Sequence, residues 1–349
     1  MRLGLNIGYV ATTGDDEQVR LAHCAEELGY SCVWAAEAYG SDVVTVLTWI
    51  AARTQTIDVG SAIMQIPGRT PTMTAMTAAT LDTLSHGRFR LGLGVSGPQV
   101  SEGWHGVRFD KPLGRTREYV DIVRTALARS TVRYDGKHFT LPLPDGPGKA
   151  LKLMLHPRRA DIPVYLAAVG PKNIELAGQI ADGWLGIFFA PEHAAVSMDP
   201  LRAGIARAGR EVADVDVAVT VPVVIGADLE VCAEPLRGHT ALYVGGMGSR
   251  EQNFYHALAV RMGFGDAARE IQDLYLDRRQ RDAMAAVPLE LIDQTALIGP
   301  RERLVDRLHA YAEAGVSTLN VTPFAEDEEG RTATMRTVAE ALDAAGLAD

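Results

Sequence analysis

The chain has 349 residues, of which 47% are hydrophobic, and carries a formal net charge of −10 at pH 7. This composition is that of a globular protein with a large core and argues against an intrinsically disordered chain. The acidic balance disfavours nucleic acid and anionic membrane surfaces as partners, because both require clustered basic residues.

The cysteines and the apolar segments indicate the cellular compartment in which the protein is expected. Cys24, Cys32 and Cys232 show no CxxC or CxxH spacing, so neither a disulfide framework nor a zinc site is expected. The opening run MRLGLNIGYV lacks a small-residue cleavage site and is interpreted as a strand rather than a signal peptide. No stretch approaches the roughly 18 apolar residues of a spanning helix. We therefore expect a cytoplasmic protein.

Short apolar runs alternate with amphipathic stretches along the chain, which is typical of βα units. The predicted strands are Leu3–Tyr9, Ser31–Glu37, Ile57–Met64, Phe89–Ser96, Pro163–Val169, Trp184–Phe189, Val215–Ile225 and Thr318–Pro323. Eight strands with helices between them predict an α/β protein with a (β/α)8 TIM barrel, and residues 1–349 are predicted to form one domain. A doubly wound sheet is the main alternative, although it usually has fewer strands.

Two segments are longer than ordinary βα loops. Residues 130–145 include Arg133–Leu141, which predicts a small hairpin that turns at Asp135-Gly136. Residues 228–293 follow the seventh strand and are predicted to be mostly helical. Insertions in barrel enzymes often cap the mouth at the carboxyl ends of the strands, so this segment is predicted to be either a lid or an oligomer contact.

Active sites of these barrels lie at the carboxyl ends of the strands. Glu37 ends the second predicted strand, where a carboxylate could bind a cofactor, relay a proton, or simply be a solvated charge. The third strand ends with Ser61–Met64, which offers either an apolar shelf for a flat ring or ordinary barrel packing.

The fourth strand runs into the glycine-rich segment Gly92–Pro98. This segment is not the GxGxxG motif of dinucleotide-binding folds, but its glycines let the backbone approach a ligand closely. His105 follows at a short distance and is a candidate acid or base, although a lone histidine is more often structural.

Ala168–Pro171 connects the fifth strand to its helix. Free N–H groups and the positive end of the helix dipole make such a turn a phosphate cradle, which Lys172 could reinforce.

Several catalytic motifs are missing from the sequence. It has no GxSxG elbow, Walker loop or HExxH motif, so neither a nucleophile nor a metal site is predicted. An apolar shelf, glycines and a phosphate cradle suit a cofactor that carries its own reactivity.

The segment LDTLSHGRFRLGLGVSG resembles the D-x-L-S-x-G-R-x-x-L-G-x-G pattern of the bacterial luciferase-like superfamily. The matching residues are Asp82, Leu84, Ser85, Gly87, Arg88, Leu91, Gly92 and Gly94. Ala35–Asp42 and Gly94–Gly106 are similar to the F420-dependent branch, which includes methylene-tetrahydromethanopterin reductase and actinobacterial relatives. FMN-dependent luciferases tend to carry a His pair where Ala38 and Tyr39 stand here.

The resemblance implies an oxidoreductase that transfers a hydride between the deazaflavin coenzyme F420 and a small organic substrate, and that forms a homodimer. Glu37 is the first candidate for a proton relay and His105 is the second. The family often has a non-prolyl cis peptide bond at the end of the third strand, here Ser61-Ala62. The implied cofactor contacts are Glu37, Ser61, Ala62, Met64, Gly94, Ser96, Gly97, Pro98, Ala168, Val169, Gly170 and Pro171.

Two alternatives stay open: an FMN-dependent two-component monooxygenase and a non-catalytic protein that binds flavin or F420. Glucose 6-phosphate is not expected as the substrate, because Ala38 replaces the histidine that the corresponding dehydrogenase branch carries after its strand-two acid.

Overall fold

The computed structural model describes residues 1–8 and 16–348, so Tyr9, at the end of the first predicted strand, lies outside the described residues. Eight parallel strands form the barrel, and we number them one to eight: Arg2–Gly8, Cys32–Ala35, Asp58–Ser61, Phe89–Gly94, Val164–Ala167, Gly183–Ile187, Asp216–Ile225 and Thr318–Pro323. Strand one pairs with strands two and eight, and strand seven pairs with strands six and eight. The barrel is therefore closed, and the predicted (β/α)8 fold is confirmed.

The helices around the barrel turn apolar stripes toward the strands. In the helix Arg301–Glu313, for example, Leu304, Leu308 and Tyr311 are fully buried, as their helical spacing predicts. Asp42 fixes the start of another helix by accepting a hydrogen bond from the Thr45 N–H at 2.8 Å. The bounds of these helices are Glu17–Glu27, Val43–Ala51, Pro71–Leu84, Pro98–Gly103, Pro112–Leu127, Pro171–Ile180, Ala195–Arg207, Arg301–Glu313 and Glu328–Ala344.

The hairpin and the helical segment both interrupt the barrel. Tyr134–Asp135 pairs antiparallel with Thr140–Leu141. After strand seven the helical insertion has a core of its own, and Leu297–Gly299 then pairs in parallel with strand seven, a strand that the sequence did not predict. The helices of the insertion are Leu229–Ala241, Phe254–Arg261, Gly265–Leu276, Gln280–Ala285 and Leu289–Thr295, with a π-helical turn at Leu242–Gly246. In the described part of the chain, no helix has the length and apolarity needed to cross a membrane.

The third predicted strand is interrupted near its end. Strand three stops at Ser61, and Met64–Gln65 pairs separately with Leu93 and Gly94 of strand four. A cis peptide bond joins Ala62 to Ile63, one residue after the expected Ser61-Ala62 bond, so that expectation was wrong by one position. The chain therefore bulges at Ala62-Ile63 instead of continuing as one strand to Met64.

Strand four accommodates this bulge through its alternation of leucine and glycine. Leu91 and Leu93 are fully buried in the core between the barrel and its helices. Gly92 and Gly94 alternate with these leucines and face the barrel interior, where a Cβ atom at Gly92 would lie 1.8 Å from the Ser61 carbonyl oxygen. A Cβ atom at Gly94 would lie 2.3 Å from Ile63 Cδ1. Glycine is therefore required at both positions for strand four to lie this close to the bulge.

We expect Gly92→Ala to lower the free energy of unfolding by about 2 kcal/mol or more, because the added methyl group meets backbone that cannot rotate away. Urea denaturation followed by circular dichroism measures the change. Gly103→Ala is the matched control, since open space surrounds that helical position and alanine favours helix. Equal stability of Gly92→Ala and the native protein would contradict the close approach.

Candidate active site at the mouth of the barrel

The bulge forms an apolar shelf at the carboxyl end of strand three. Ala62 and Ile63 are half-buried and pack against a cluster inside the barrel that includes Trp34 and Leu185. This places Ile63, which the sequence analysis did not name as a contact, at the centre of the shelf. Such a surface suits the face of a flat ring.

Two of the predicted contacts do not bring their side chains to this shelf. Ser61 is fully buried, and its hydroxyl both donates to the Gly92 carbonyl at 2.8 Å and accepts from the Gly92 N–H at 2.9 Å. Met64 is fully buried in the core between the barrel and the helices. A cofactor at the mouth could therefore meet these two residues only through main-chain atoms.

Glu37 is held by the loop that follows the bulge. Its carboxylate accepts hydrogen bonds from Arg69 Nη1 at 2.7 Å and from the Gln65 N–H at 3.2 Å. Arg69 also binds Asp42 at 2.7 Å. Burial acts to lower the pKa of Arg69, but its contacts with Glu37 and Asp42 raise the pKa above its ordinary value, so the guanidinium stays charged. The candidate relay is thus one partner of a largely buried ion pair.

His105 also lies against this loop. The position of a Cβ atom on Gly68 would be 3.2 Å from His105 Cε1, so the imidazole lies against this part of the loop. Its Nε2 atom is buried and has no hydrogen-bond partner in the described residues. The structure therefore brings both predicted acid–base candidates to the loop Ile66–Arg69, and one of them has unused hydrogen-bonding capacity.

The carboxyl end of strand four leads directly into a short helix. Ser96 lies in the left-handed region with φ 59°, which is uncommon for a residue other than glycine. Gly97 precedes the helix Pro98–Gly103. Ser96, Gly97 and Pro98 follow the carboxyl end of strand four and are all half-buried, whereas Gly94 lies within the strand against Ile63.

The turn after strand five has the features of an anion site. Gly170 precedes the helix Pro171–Ile180, and its Cβ position faces open space. The Ala168 carbonyl accepts a hydrogen bond from Trp184 Nε1 at 3.0 Å, which fixes the turn from the core between the barrel and its helices. Lys172 does not close over the turn, because its ammonium binds Glu175 at 3.1 Å and the side chain is otherwise exposed.

The cation at this turn is Arg261, which the sequence analysis missed. It comes from the insertion, and its Nη2 donates to the Val169 carbonyl at 3.2 Å. Burial lowers the pKa of Arg261, because the guanidinium is partly removed from water. Together the helix N-terminus, the open glycine and the guanidinium fit an anionic group such as a phosphate.

Comparison with known proteins supports the resemblance. A family model described as luciferase-like monooxygenase matches residues 6–318. A Mycobacterium tuberculosis protein provisionally named a coenzyme F420-dependent oxidoreductase is 44% identical over 329 residues, which cover 92% of this chain and 95% of that protein.

Solved structures share the fold. The coenzyme F420-dependent tetrahydromethanopterin reductase of Methanopyrus kandleri superposes with a TM-score of 0.79 at 23% identity, covering 97% of each chain. An F420-dependent secondary alcohol dehydrogenase in complex with an F420-acetone adduct also gives a TM-score of 0.79, at 18% identity, covering 100% of this chain and 99% of that one. The family match spans most of the sequence, and the mycobacterial relative is similar over nearly all of it. The chain therefore belongs to the luciferase-like monooxygenase family and is similar to its F420-dependent oxidoreductases.

Proposed function

We propose that the chain is an F420-dependent oxidoreductase that transfers a hydride between this deazaflavin and a small organic substrate. The observation that carries the proposal is the pairing, at one barrel mouth, of the apolar bulge Ala62-Ile63 with the anion-binding turn at Gly170 and Arg261. The mycobacterial relative that is 44% identical bears an F420-dependent name. When bound, the cofactor supplies the carbon that donates or accepts the hydride.

The residues present fit this cofactor. Ala62, Ile63 and the mouth segment Ser96–Pro98 would hold the ring system, with Gly94 making room beneath them. The turn Ala168–Pro171 and Arg261 would hold the phosphate. The protein's part in the reaction is to orient substrate and cofactor and to exclude water, which can supply several kcal/mol of barrier reduction.

Glu37 remains the first candidate for the proton relay and His105 the second. A relay through Glu37 requires its carboxylate to exchange the contact with Arg69 for one with the substrate or a water molecule. His105 keeps a nitrogen that no described residue engages, so it could bind a mobile proton without breaking an ion pair.

The homodimer also remains a prediction. The helix Pro71–Leu84 exposes Met73, Met76 and Leu84 by 51%, 51% and 55%, respectively. Their spacing places them along one side of the helix, where an apolar stripe of this kind is suited to burial against a second copy.

Cofactor preference is the first prediction of this proposal. Titration of the purified protein with F420, followed by the fluorescence of the deazaflavin, should give saturable binding at least about tenfold tighter than that of FMN. Tight binding of FMN without measurable binding of F420 would instead favour the monooxygenase alternative.

Arg261→Met should weaken F420 binding about tenfold, because it removes a charge-assisted hydrogen bond to the phosphate at Ala168–Pro171, which we call the phosphate turn. The same fluorescence titration measures the effect. The affinity of the variant for F420 should also depend less steeply on salt concentration than that of the native protein. Lys172→Met is the matched control, since this nearby cation is turned toward Glu175 and should leave affinity unchanged. Equal losses in both variants would mean that the turn attracts the cofactor only through general charge.

Glu37→Gln should lower turnover about 100-fold and remove one limb of its pH profile if the carboxylate relays a proton. Turnover is followed as oxidation of reduced F420 by the fastest acceptor in a panel of enones, ketones and quinones. Asp42→Asn is the control, because it removes the other carboxylate that binds Arg69 and keeps Glu37. It therefore distinguishes an effect on the position of the loop from the loss of a proton relay. An unchanged pH profile in Glu37→Gln, or the same change in both variants, would remove Glu37 from the relay.

A further inference from the structure

Aromatic side chains from three parts of the chain meet at the carboxyl ends of strands six and eight. Phe188 directly follows strand six, and Phe324 directly follows strand eight. His239, Tyr243 and Tyr255 come from the first helices of the insertion. We call these five residues the mouth aromatic cluster.

The cluster is organised around His239. Its imidazole stacks on Phe188 with ring centroids 5.5 Å apart and planes inclined by 22°. Tyr243 lies 4.6 Å and Phe324 5.8 Å from the same ring, both measured between centroids. Tyr255 closes the cluster against Tyr243 at 4.8 Å, edge to face. Geometries of this kind are favourable for aromatic pairs, so the rings form a continuous wall.

The backbone holds this wall in uncommon conformations. Phe188 has φ 54°, a value that is an outlier for a bulky side chain and is often found at functional sites. Tyr243 lies in the π-helical turn Leu242–Gly246, another feature frequent at such sites. The buried Asn253 side chain donates to the carbonyls of Tyr243 at 3.0 Å and Val244 at 2.9 Å, which fixes the turn.

The wall contains one polar atom without a partner. Nδ1 of His239 is buried, and no described residue hydrogen-bonds it. Burial lowers the pKa of His239 to about 4, so the imidazole is neutral near pH 7 and can either donate or accept a hydrogen bond. A buried polar group left without a partner is costly, and in native proteins it calls for an explanation.

The cluster adjoins the site already described. Val169, whose carbonyl receives the hydrogen bond from Arg261, packs against the same apolar group as Phe188, Tyr243 and Tyr255. The unpartnered nitrogen therefore lies in a cluster that borders the phosphate turn, at the end of the barrel where substrates bind.

We propose that His239 is a specificity-determining residue of the substrate pocket, and that this pocket takes an uncharged, planar aromatic molecule with one oxygen substituent, which hydrogen-bonds the imidazole. The rings supply the stacking surface, and none of the five side chains offers a formal charge to pair with an ionic ligand at neutral pH. The inference rests on the proposed function, because it names the substrate class of the same site.

Two probes of similar shape test the oxygen requirement. Acetophenone and ethylbenzene differ mainly in the carbonyl group, and saturation-transfer NMR titrations give the affinity of each for the full-length protein, with and without F420. The native protein should bind acetophenone about tenfold tighter than ethylbenzene. Saturable binding of neither probe, or equal binding of both, would overturn the proposal.

Substitutions test whether His239 is the source of the preference for acetophenone over ethylbenzene. His239→Phe keeps the ring but removes the nitrogen, so acetophenone should lose about tenfold in affinity while ethylbenzene does not. His239→Gln, which restores a hydrogen-bonding group, should recover part of the preference. His256→Phe is the control, because it removes another buried nitrogen without a partner from the insertion and should leave both affinities unchanged.

The outcomes separate this inference from the function on which it rests. The role of His239 would be overturned if His239→Phe still bound acetophenone more tightly than ethylbenzene. It would also be overturned if this variant lost affinity for both probes equally and had a lower melting temperature. A preference that disappears only in His239→Phe, in a protein that fails to bind F420, would support the pocket and contradict the cofactor.

Discussion

The site depends on the close approach of strand four to the bulge that follows strand three. Side chains on a strand alternate between its two faces. In the run Leu91-Gly92-Leu93-Gly94 the two leucines therefore pack in the core between the barrel and its helices, and the two glycines, which have no side chain, face the barrel interior. The Ser61 carbonyl and the Ile63 side chain occupy that space. Packing of the barrel and formation of the apolar shelf are therefore consequences of one alternating sequence.

The barrel and the insertion contribute different chemistry to the mouth. The strands supply the shelf, the phosphate turn and the Glu37–Arg69 ion pair. The insertion adds Arg261 and His239, and it folds around a core of its own. The shared barrel fold does not identify the substrate, because function depends on the residues that a fold carries at its site.

The sequence predicted the elements whose signal is local. Strand eight has the predicted bounds Thr318–Pro323, and the stripe on Arg301–Glu313 is buried as its spacing requires. Ser61 and Met64 were expected to contact the cofactor, but around the break at Ala62-Ile63 the Ser61 side chain is fully buried and Met64 lies in the core between the barrel and its helices. The position of such a break is set by the neighbouring strand rather than by the residues of strand three.

The residues that the sequence analysis missed act over long separations in the chain. Arg261 reaches a carbonyl 92 positions earlier. His239 contacts residues that follow two different strands, because it stacks on Phe188 and meets Phe324 edge to face. A local hint was the presence of aromatic residues near the ends of predicted strands six and eight, Phe188 and Phe324. Contacts made by an insertion depend on how its helices pack on the barrel, and periodicity within each helix does not reveal this.

A crystal structure of the protein soaked with F420 tests the central claim most directly. We expect the deazaflavin ring to lie against Ala62 and Ile63, with its phosphate at the Gly170 amide and Arg261. Ordered F420 elsewhere on the protein, or a phosphate held away from this turn, would contradict it.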